Sequence, residues 1–462
     1  MYQNIFVSKK DDTVHLWDDE QGYSSFPLVK YAYKRHVGGE FTSIYGDELM
    51  RVFNFDNTDP NVFESDVPAD IRILLDRYPD SSEPSKGHKI GVIDIEVSME
   101  GGFPSIDEAD KEITGITLYD YITSKYTTFI LDKENKINDK DTTEFQLKGF
   151  RNEESMLMSF LNTWQECGFT IVTGWNMNDN GQSGGFDMPY IYNRLKNVLG
   201  AKYAKFLSPI GVAYINQFKK TLILGGISLI DYLLLYKKFS GKNEPTHALG
   251  PIGKKIVGID KIQYKGNLDN LYKEDIDKFI EYNLNDVRIV VALDKKLQFI
   301  ELARQICHVG HVPYENFHMS SRYLDGAILM FLKQNGGRIA PNKPSRGREQ
   351  YEEMIEEGFS GAYVKEPTPG RYNWVFDLDL TSMYPNIIIS LNISPETKVG
   401  KLEKYLPEKH IRGEIETYKV GSTDYTPDEF KELITKCNYS VSSNGVLYRQ
   451  PEKKIVGKII KR

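Results

Sequence analysis

Two carboxylates stand two positions apart in the run Val92-Ile-Asp-Ile-Glu-Val97. Because side chains alternate across a β-strand, Asp94 and Glu96 are expected on the same face of that strand. Neighbouring carboxylates repel each other unless a cation lies between them, and ligands that are all oxygen favour a hard metal, Mg²⁺ or Mn²⁺. The alternative is an edge strand with its polar residues in solvent, but the apolar flanks favour a buried strand.

A third acidic residue follows a strand and a loop. The segment Thr173-Gly-Trp-Asn176 is predicted to end a strand, and a loop rich in Gly and Asn leads from it to Phe186-Asp-Met-Pro-Tyr190. That loop can bring Asp187 to the carboxyl end of a sheet, where α/β folds usually build their sites. On its own this motif is weak, because an Asp before a helix is more often an N-cap than a ligand.

A predicted helix carries a fourth carboxylate. In Tyr282-Asn-Leu-Asn-Asp286 the tyrosine and the aspartate lie at i and i+4, on one face of the helix. Such a pair is commonly only a packed surface contact. The three motifs taken together, in this order, favour a shared metal site.

The run Asp379-Leu-Thr-Ser-Met-Tyr-Pro385 is similar to a carboxylate motif of nucleotidyl transfer. Two metal ions about 4 Å apart need a second carboxylate opposite the first, so a single Asp cannot hold both. Asp377 competes with Asp379 as a ligand, because alternation along a strand would place both on one face. Either the chemistry occurs elsewhere, or another polypeptide completes this site.

The elements that would position these residues alternate between strands and helices, which predicts an α/β layer fold with a partly parallel sheet. The predicted elements are strands at Ile90 to Val97, Ile113 to Tyr119 and Thr170 to Gly174, and a helix at Glu153 to Cys167. The stretch Tyr78 to Gly87 is rich in turn residues and predicts a linker after the N-terminal region. A third region begins near Phe359, where Tyr372 to Leu380 is predicted as a strand.

Composition excludes several classes of protein. The 462 residues are 40% hydrophobic and 27% charged, as in an ordinary soluble protein. Three scattered cysteines fit reduced thiols and exclude a disulfide framework. No apolar run approaches about 18 residues, so neither a membrane segment nor a signal peptide is expected, and the location is predicted to be intracellular. The net charge of −7 decides little, because acidic metal ligands can coexist with basic grooves.

Two smaller features have ordinary explanations that we favour. The basic tail 453–462 is predicted as a solvated terminal helix rather than a nucleic-acid contact, although Ile455, Ile459 and Ile460 would need a surface to cover. The cluster Cys307-His-Val-Gly-His311 lacks a fourth ligand, so packing is a better explanation for it than zinc.

The three upstream motifs, Asp94-Ile-Glu96, Thr173 to Asn176 with Phe186-Asp187, and Tyr282 to Asp286, resemble the exonuclease motifs of family B DNA polymerases. Asp379 to Pro385 resembles the first polymerase motif of that family, and the likeness is to the replicative polymerases of T-even-type bacteriophages. Four motifs in order are highly specific. The resemblance implies a small N-terminal domain at 1–88 completed by 303–352, a ribonuclease-H-like 3′→5′ exonuclease domain at 89–302, and the first part of a polymerase palm at 353–462.

The resemblance also assigns roles in the exonuclease site. It implies that Asp94, Glu96, Asp187 and Asp286 hold two divalent ions, Mg²⁺ or Mn²⁺, which activate water and stabilise the leaving 3′ oxygen. Tyr282 would orient the attacking water. The substrate would be the single-stranded end of a primer, and mispaired ends would be preferred because they fray at lower cost.

For the polymerase motif, the resemblance implies that Asp379 binds both catalytic ions. The backbone amides of five residues would cradle the triphosphate of a deoxynucleotide: Leu380, Thr381, Ser382, Met383 and Tyr384. Tyr384 would also stack beneath the sugar. Gly361 and Tyr363 resemble a connector that touches the DNA template, with a simple tight turn at Gly361 as the alternative. The segment Lys254 to Lys265 resembles the exonuclease hairpin, with an ordinary solvent hairpin as the alternative.

The later motifs of the family are absent from the sequence, including the Lys-x-x-x-Asn-Ser-x-Tyr-Gly helix and the Gly-Asp-Thr-Asp turn. We therefore expect a C-terminal partner chain that supplies fingers, remaining palm and thumb, which makes this chain the N-terminal subunit of a split viral polymerase. A truncated sequence is the rival explanation. The expected ligands are DNA primer-template, a single-stranded 3′ end and dNTP, a sliding clamp is an expected partner through the second chain, and the expected location is the bacterial host cytoplasm.

Two other functions remain open at this stage. One is an autonomous 3′→5′ exonuclease on single-stranded DNA with a vestigial palm. The other is a non-catalytic nucleic-acid-binding regulator, and the retention of all four exonuclease carboxylates speaks against it.

Overall fold

The computed structural model describes residues 1–79, 83–178, 185–216, 218, 220–241, 244–343 and 364–451. The strands in these ranges are β1 (Tyr2–Ser8), β2 (Thr13–Asp18), β3 (Gly22–Pro27), β4 (Ala32–Arg35), β5 (Phe41–Ser43), β6 (Glu48–Val52), β7 (Val62–Phe63), β8 (Ile90–Val97), β9 (Ile113–Asp120), β10 (Lys125–Leu131), β11 (Lys140–Asp141), β12 (Phe145–Phe150), β13 (Ile171–Gly174), β14 (Ala213–Ile215), β15 (Leu222–Leu224), β16 (Ser228–Asp231), β17 (Arg338–Ile339), β18 (Lys398–Lys401), β19 (Tyr418–Val420), β20 (Thr423–Tyr425), β21 (Tyr439–Val441) and β22 (Val446–Arg449).

The α-helices in the same ranges are α1 (Ala69–Arg77), α2 (Glu153–Cys167), α3 (Asp187–Val198), α4 (Ala201–Ala204), α5 (Tyr232–Phe239), α6 (Leu249–Val257), α7 (Leu268–Glu274), α8 (Ile276–Leu297), α9 (Phe299–Gly310), α10 (Ser320–Gln334), α11 (Met383–Leu391), α12 (Pro407–Ile411) and α13 (Pro427–Cys437). Short 3-10 turns occur at Lys205–Leu207, Tyr314–Asn316 and Pro395–Thr397. Where described, no helix has the length and apolar character needed to cross a membrane.

The chain divides into two compact units. The first contains residues 1–32, 53–55 and 65–337, and the second contains 33–52, 56–64 and the described residues from 338 onward. Compactness is a different criterion from family resemblance, so the division into domains at 1–88, 89–302 and 353–462 stays a prediction.

A seven-stranded mixed sheet forms the centre of the first unit. Its strand order is β11-β12-β10-β9-β8-β13-β16. Strands β8, β13 and β16 are parallel, whereas β9 runs antiparallel to both β8 and β10. The predicted mixed α/β class is confirmed, and the strand at 90–97 and the helix at 153–167 have the predicted bounds. In the register of the three parallel strands, β13 and β16 end level with the middle of β8, near Asp94.

The two faces of this sheet are covered differently. Ile93 and Ile95 point into an apolar core shared with Phe160 and Trp164 of α2. The opposite face of β8 carries Asp94 and Glu96, and the buried side of α8 packs there. Alternation along β8 thus separates the core from the carboxylates, as the sequence predicts.

The linker predicted at residues 78–87 is described at 78–79 and 83–87, and these residues belong to the first unit rather than separating two compact units. Ser85 is buried in the first unit, where its hydroxyl lies 2.8 Å from Tyr314 Oη and 2.8 Å from His88 Nε2. His308 Nε2 lies 2.8 Å from the same Tyr314 hydroxyl. Turn-rich composition is only a correlate of exposure, and here specific polar partners bury Ser85, whereas Glu83, Lys86 and Gly87 are exposed. Cys307 packs nearby and donates its thiol to the Tyr314 carbonyl at 3.7 Å.

The second unit contains smaller sheets. One has the order β17-β5-β6-β4-β7, another has the order β18-β22-β21, and β19 and β20 form a hairpin. Tyr418 and Phe430 stack with ring centroids 4.2 Å apart in a small core that also contains Leu402 and Leu447. Helix α13 begins with a capping box between Thr426 and Glu429.

The strand predicted at Tyr372 to Leu380 is wrong. This segment is irregular and exposed, with Trp374 at 90% and Leu378 at 94% exposure. A β-strand is stabilised by a neighbouring strand, and none of the described strands pairs with these residues. Helix α11, which follows, is strongly apolar and buries none of its residues.

The hairpin predicted at Lys254 to Lys265 is also wrong. Residues 254–257 form the last turn of α6, and Gly258, with φ of +77°, ends that helix in the left-handed conformation. Residues 258–265 contain no strand. Two of the β-branched residues there, Ile256 and Val257, belong to α6 and pack against the core on its apolar side.

Candidate metal centre

Three carboxylates meet at the carboxyl edge of the sheet in the first unit. Oxygen atoms of Asp94 and Glu96 on β8 and of Asp286 on α8 all lie within 4.8 Å of one another. Asp286 is 3% exposed, and its buried Oδ1 has no hydrogen-bond partner among the described residues. Its Oδ2 accepts from Lys261 Nζ at 2.5 Å. A buried carboxylate oxygen without a donor is a position that a cation would satisfy.

Local structure explains why Asp286 reaches β8. Helix α8 is capped by Asp275, the residue before it, whose side chain accepts from the amide of Lys278 at 3.1 Å. Phe279, one turn further, packs against Gly115 of β9, where a Cβ atom would lie 3.3 Å from the phenyl ring. The missing side chain at Gly115 allows the helix to approach the sheet closely.

Asp187 lies beside this cluster rather than within it. It is the first residue of α3 and is buried, and its Oδ1 accepts from the backbone amide of Ile95 at 3.1 Å. Ile95 stands between Asp94 and Glu96 in the sequence, so the loop does bring Asp187 to the predicted edge. Of the four predicted exonuclease ligands, the structure brings three into one cluster and places the fourth against the same strand.

Electrostatics make this cluster unfavourable without a cation. Burial, together with the charges of Asp187 and Glu96, raises the pKa of Asp94 far above its usual value. Burial and then the Asp286 charge raise the pKa of Glu96 to about 8, and burial raises the pKa of Asp187 to about 7. Burial also raises the pKa of Asp286, and the Lys261 ammonium opposes this only in part. Clustered oxygen ligands with raised pKa values fit a hard divalent ion.

Tyr282 lies on α8, one turn before Asp286, as its spacing predicts. It is half-buried, and burial raises the pKa of its hydroxyl, which therefore stays protonated at neutral pH. Lys261 Nζ lies 3.3 Å from that hydroxyl and 5.3 Å from the centre of the Tyr282 ring. The tyrosine, the lysine and the carboxylates therefore share one cleft.

Three residues at this site were missed by sequence reasoning. Lys261 stands alone in an irregular segment after α6, so no pattern distinguishes it from a surface lysine. Asn283 donates from Nδ2 to Asp94 Oδ2 at 2.9 Å, and its position three residues before Asp286 could have placed it on the same helix face. Asp231, at the end of β16, precedes α5, which is a recognisable N-cap pattern.

Asp231 holds the loop that leads to Asp187. It is completely buried, and its carboxylate accepts from the backbone amides of Asn176 at 3.2 Å and Asn178 at 3.0 Å, besides capping α5. The carbonyl of Asn176 in turn accepts from the Phe186 amide at 2.9 Å. Both ends of this loop are therefore fixed next to the carboxylates.

The predicted polymerase motif, residues 379–385, lies in the second unit and is exposed to solvent. Asp377 and Asp379 are both exposed in irregular backbone, so strand alternation does not relate them. Ser382 is left-handed, with φ of +53°, and precedes α11, whose first two residues are Met383 and Tyr384. In the part of the chain that the structure covers, no group of three potential ligands surrounds Asp379. Gly361 and Tyr363 fall outside the described residues.

Comparison with known proteins agrees with this arrangement. Residues 44–244 match the exonuclease domain of DNA polymerase family B, and residues 320–438 match the DNA polymerase family B domain itself. This chain belongs to DNA polymerase family B. In this family B chain, the first match contains Asp94, Glu96 and Asp187, and the second contains Asp379.

Individual relatives support the same assignment for this family B polymerase chain. It is 31% identical to the DNA-directed DNA polymerase of Escherichia phage RB69 and 30% identical to that of Enterobacteria phage T4, in each case over 80% of its length. It is 24% identical over 73% of its length to a DNA polymerase of Pyrococcus glycovorans. The chain spans 40%, 41% and 41% of these three relatives.

Proposed function

We propose that this chain is the N-terminal, exonuclease-bearing part of a viral replicative DNA polymerase, and that it removes nucleotides from single-stranded 3′ ends of DNA with Mg²⁺ or Mn²⁺. The observation that carries this proposal is the cluster of Asp94, Glu96 and Asp286, whose oxygens lie within 4.8 Å of one another. One buried oxygen of Asp286 has no hydrogen-bond partner within the described ranges. Asp187, against the same strand, is the fourth ligand that we propose.

The side chains of the cleft have distinct proposed roles. Asp94, Glu96, Asp187 and Asp286 would hold two divalent ions, which when bound supply an activated water and stabilise the leaving 3′ oxygen. The four carboxylates must give up their protons to bind cations, and their raised pKa values make that step dependent on pH. The Tyr282 hydroxyl stays protonated and can hydrogen-bond the attacking water.

We further propose that DNA synthesis requires polypeptide beyond these residues. In the described part of the chain Asp379 belongs to no cluster of three potential ligands, although two-metal transfer needs a second carboxylate opposite the first. The segment around it exposes Trp374, Phe376 and Leu378 almost completely, which is unusual for a monomer and typical of a surface that another polypeptide covers. A separate chain with fingers, remaining palm and thumb would fit, with Asp379 binding ions and the amides of 380–384 binding dNTP.

The location and the other ligands are part of the same proposal. Because relatives occur in phages RB69 and T4, we place the protein in the cytoplasm of a bacterial host. A primer-template would occupy the completed polymerase, and a sliding clamp would bind through the second chain. Gly361 and Tyr363 would contact the template.

Excision is tested with the purified chain and a 5′-labelled single-stranded oligonucleotide in Mg²⁺. We expect stepwise loss of 3′ nucleotides, and we expect Asp94→Ala and Asp286→Ala to lower the rate by orders of magnitude. Asp277→Ala is the matched control, because Asp277 is exposed on the same helix, α8, away from the cluster. Undiminished excision by both Asp94→Ala and Asp286→Ala would refute the assignment of these carboxylates to the exonuclease site.

Synthesis is tested on a primed template with and without a polypeptide that carries the missing motifs. We expect none from this chain alone and recovery on mixing, with loss of the recovered activity in Asp379→Ala. Robust synthesis by the chain alone would refute the split arrangement. Excision without any gain on mixing would instead favour an autonomous exonuclease, a function that the clustered carboxylates within the first unit also fit.

A further inference from the structure

A buried row of polar side chains leads across the sheet to Asp94. Thr128 on β10 and Thr117 on β9 lie opposite each other, with their Oγ1 atoms 2.9 Å apart. The Thr117 hydroxyl donates to Asn283 Oδ1, and Asn283 Nδ2 donates to Asp94 Oδ2 at 2.9 Å. Thr117, Thr128 and Asn283 are all completely buried. Bulk solvent does not reach these groups, and each makes its hydrogen bonds to its neighbours in the row.

When Asp94 is ionised, as a metal ligand must be, the donors and acceptors allow the hydrogen bonds of this row to run in only one direction. An ionised Asp94 can only accept, so the amide nitrogen of Asn283 must face it and the amide oxygen must face Thr117. The Thr117 hydroxyl donates its single hydrogen to that amide oxygen, so it accepts a hydrogen bond from the Thr128 hydroxyl. The two threonines thus fix the orientation of the Asn283 amide, and Asn283 fixes one oxygen of Asp94.

We propose that Asn283 is a positioning residue of the metal centre, held in its active orientation by Thr117 and Thr128. This rests on the proposed exonuclease function, because it assigns Asp94 as a metal ligand. Partners behind a metal ligand set its orientation, and their loss typically lowers metal affinity about 10- to 100-fold. Asn283 keeps Asp94 Oδ2 occupied and leaves Oδ1 for the ion.

The test measures Mn²⁺ binding by calorimetry on the full chain without DNA, so that it does not depend on catalysis. We expect Asn283→Leu, which keeps the volume but removes the donor, to weaken Mn²⁺ binding about 10- to 100-fold. Thr117→Val should weaken it by a smaller factor, since the amide is no longer oriented, and Thr117→Ser should bind as the wild type does. In excision assays, a higher Mg²⁺ concentration should restore the rate of both weakened variants.

Thr127→Val is the matched control. Thr127 neighbours Thr128 on β10 but points to the other face of the sheet, so the same substitution there should leave Mn²⁺ binding unchanged. If Asn283→Leu does not fold, the proposal is tested by comparing the Mn²⁺ affinity of Thr117→Val with that of Thr117→Ser. Wild-type Mn²⁺ affinity in a folded Asn283→Leu, or equal affinities for Thr117→Val and Thr117→Ser, would overturn the proposal. Unchanged binding by Asp94→Ala would overturn the metal centre itself and this role with it.

Discussion

Replacing Glu96 by Gln should stabilise the metal-free protein at alkaline pH. Burial and the Asp286 charge raise the Glu96 pKa from 4.5 to about 8 in the folded protein. Between these two values the folded state keeps a proton that the unfolded chain releases, so stability falls as pH rises through this window. Above about pH 8 the folded protein carries the full cost of an ionised Glu96. Gln has nearly the same shape and never ionises.

The size of the effect follows from the same pKa values. A rise from 4.5 to about 8 corresponds to at most about 5 kcal/mol, at about 1.36 kcal/mol for each pKa unit. Glu96 is half-buried and shares protons with its neighbours, so we expect about 1 to 3 kcal/mol. For a domain of this size, that is a rise in Tm of roughly 3 to 10 °C.

The assay is thermal unfolding in EDTA at pH 8.5 and at pH 5, with Glu20→Gln as the control because Glu20 is exposed in the turn after β2. The Tm of Glu96→Gln should exceed that of the wild type at pH 8.5, and the difference should shrink to a small fraction at pH 5. Mg²⁺ should then stabilise the wild type more than the variant, since an ion relieves the same repulsion.

Two results would refute this reasoning. One is a Tm of Glu96→Gln below the wild-type value at pH 8.5 in EDTA, which would mean that the carboxylate makes a favourable contact in the absence of metal. The other is a difference that does not change with pH, which would mean that ionisation of Glu96 is not its cause.

Three further outcomes follow from other contacts. Lys261→Met should lower the stability of the metal-free protein by about 3 kcal/mol and slow excision, because the buried Asp286 loses its ion pair. In urea unfolding, Mg²⁺ should restore part of that stability. Equal stability of the variant and the wild type in EDTA would contradict this. Asp231→Asn should cost about 1 to 3 kcal/mol and reduce excision, since an amide cannot accept from both Asn176 and Asn178, whereas unaltered excision would show that the loop does not need this clamp. Burial lowers the pKa of His88 and of His308 to about 3, so their contribution to stability is complete above about pH 6.5 and is lost as pH falls below it. Urea unfolding at pH 7.5 and pH 5 should show this loss, at about 1 to 2 kcal/mol per histidine, and His308→Gln but not the exposed His36→Gln should reduce it.

Local patterns were sufficient for the elements that position the carboxylates. The alternation in 90–97 and the apolar periodicity of 153–167 are each satisfied by one buried face, so their bounds could be predicted. The segment 372–380 has an equally strong tendency to form a strand, yet it lacks a neighbouring strand, and strand structure depends on that neighbour.

The site could be predicted only in part for a similar reason. Motif spacing identified the carboxylates, because each lies at a defined position on its own strand or helix. Lys261 could not be identified, since it reaches Asp286 from an irregular segment 25 residues earlier in the chain. The direction of the hydrogen bonds from Thr128 to Asn283 depends on strand register, which no single segment encodes.

The solvent-exposed apolar side chains of residues 374–391 also have consequences for handling the protein. Side chains such as Phe376, Leu378 and Ile389 remain in water, where each contributes to self-association rather than to stability. The purified chain should therefore form aggregates as its concentration rises, even while the first unit remains folded. Production together with a covering polypeptide, from the moment of synthesis, should give more soluble protein than mixing the two afterwards.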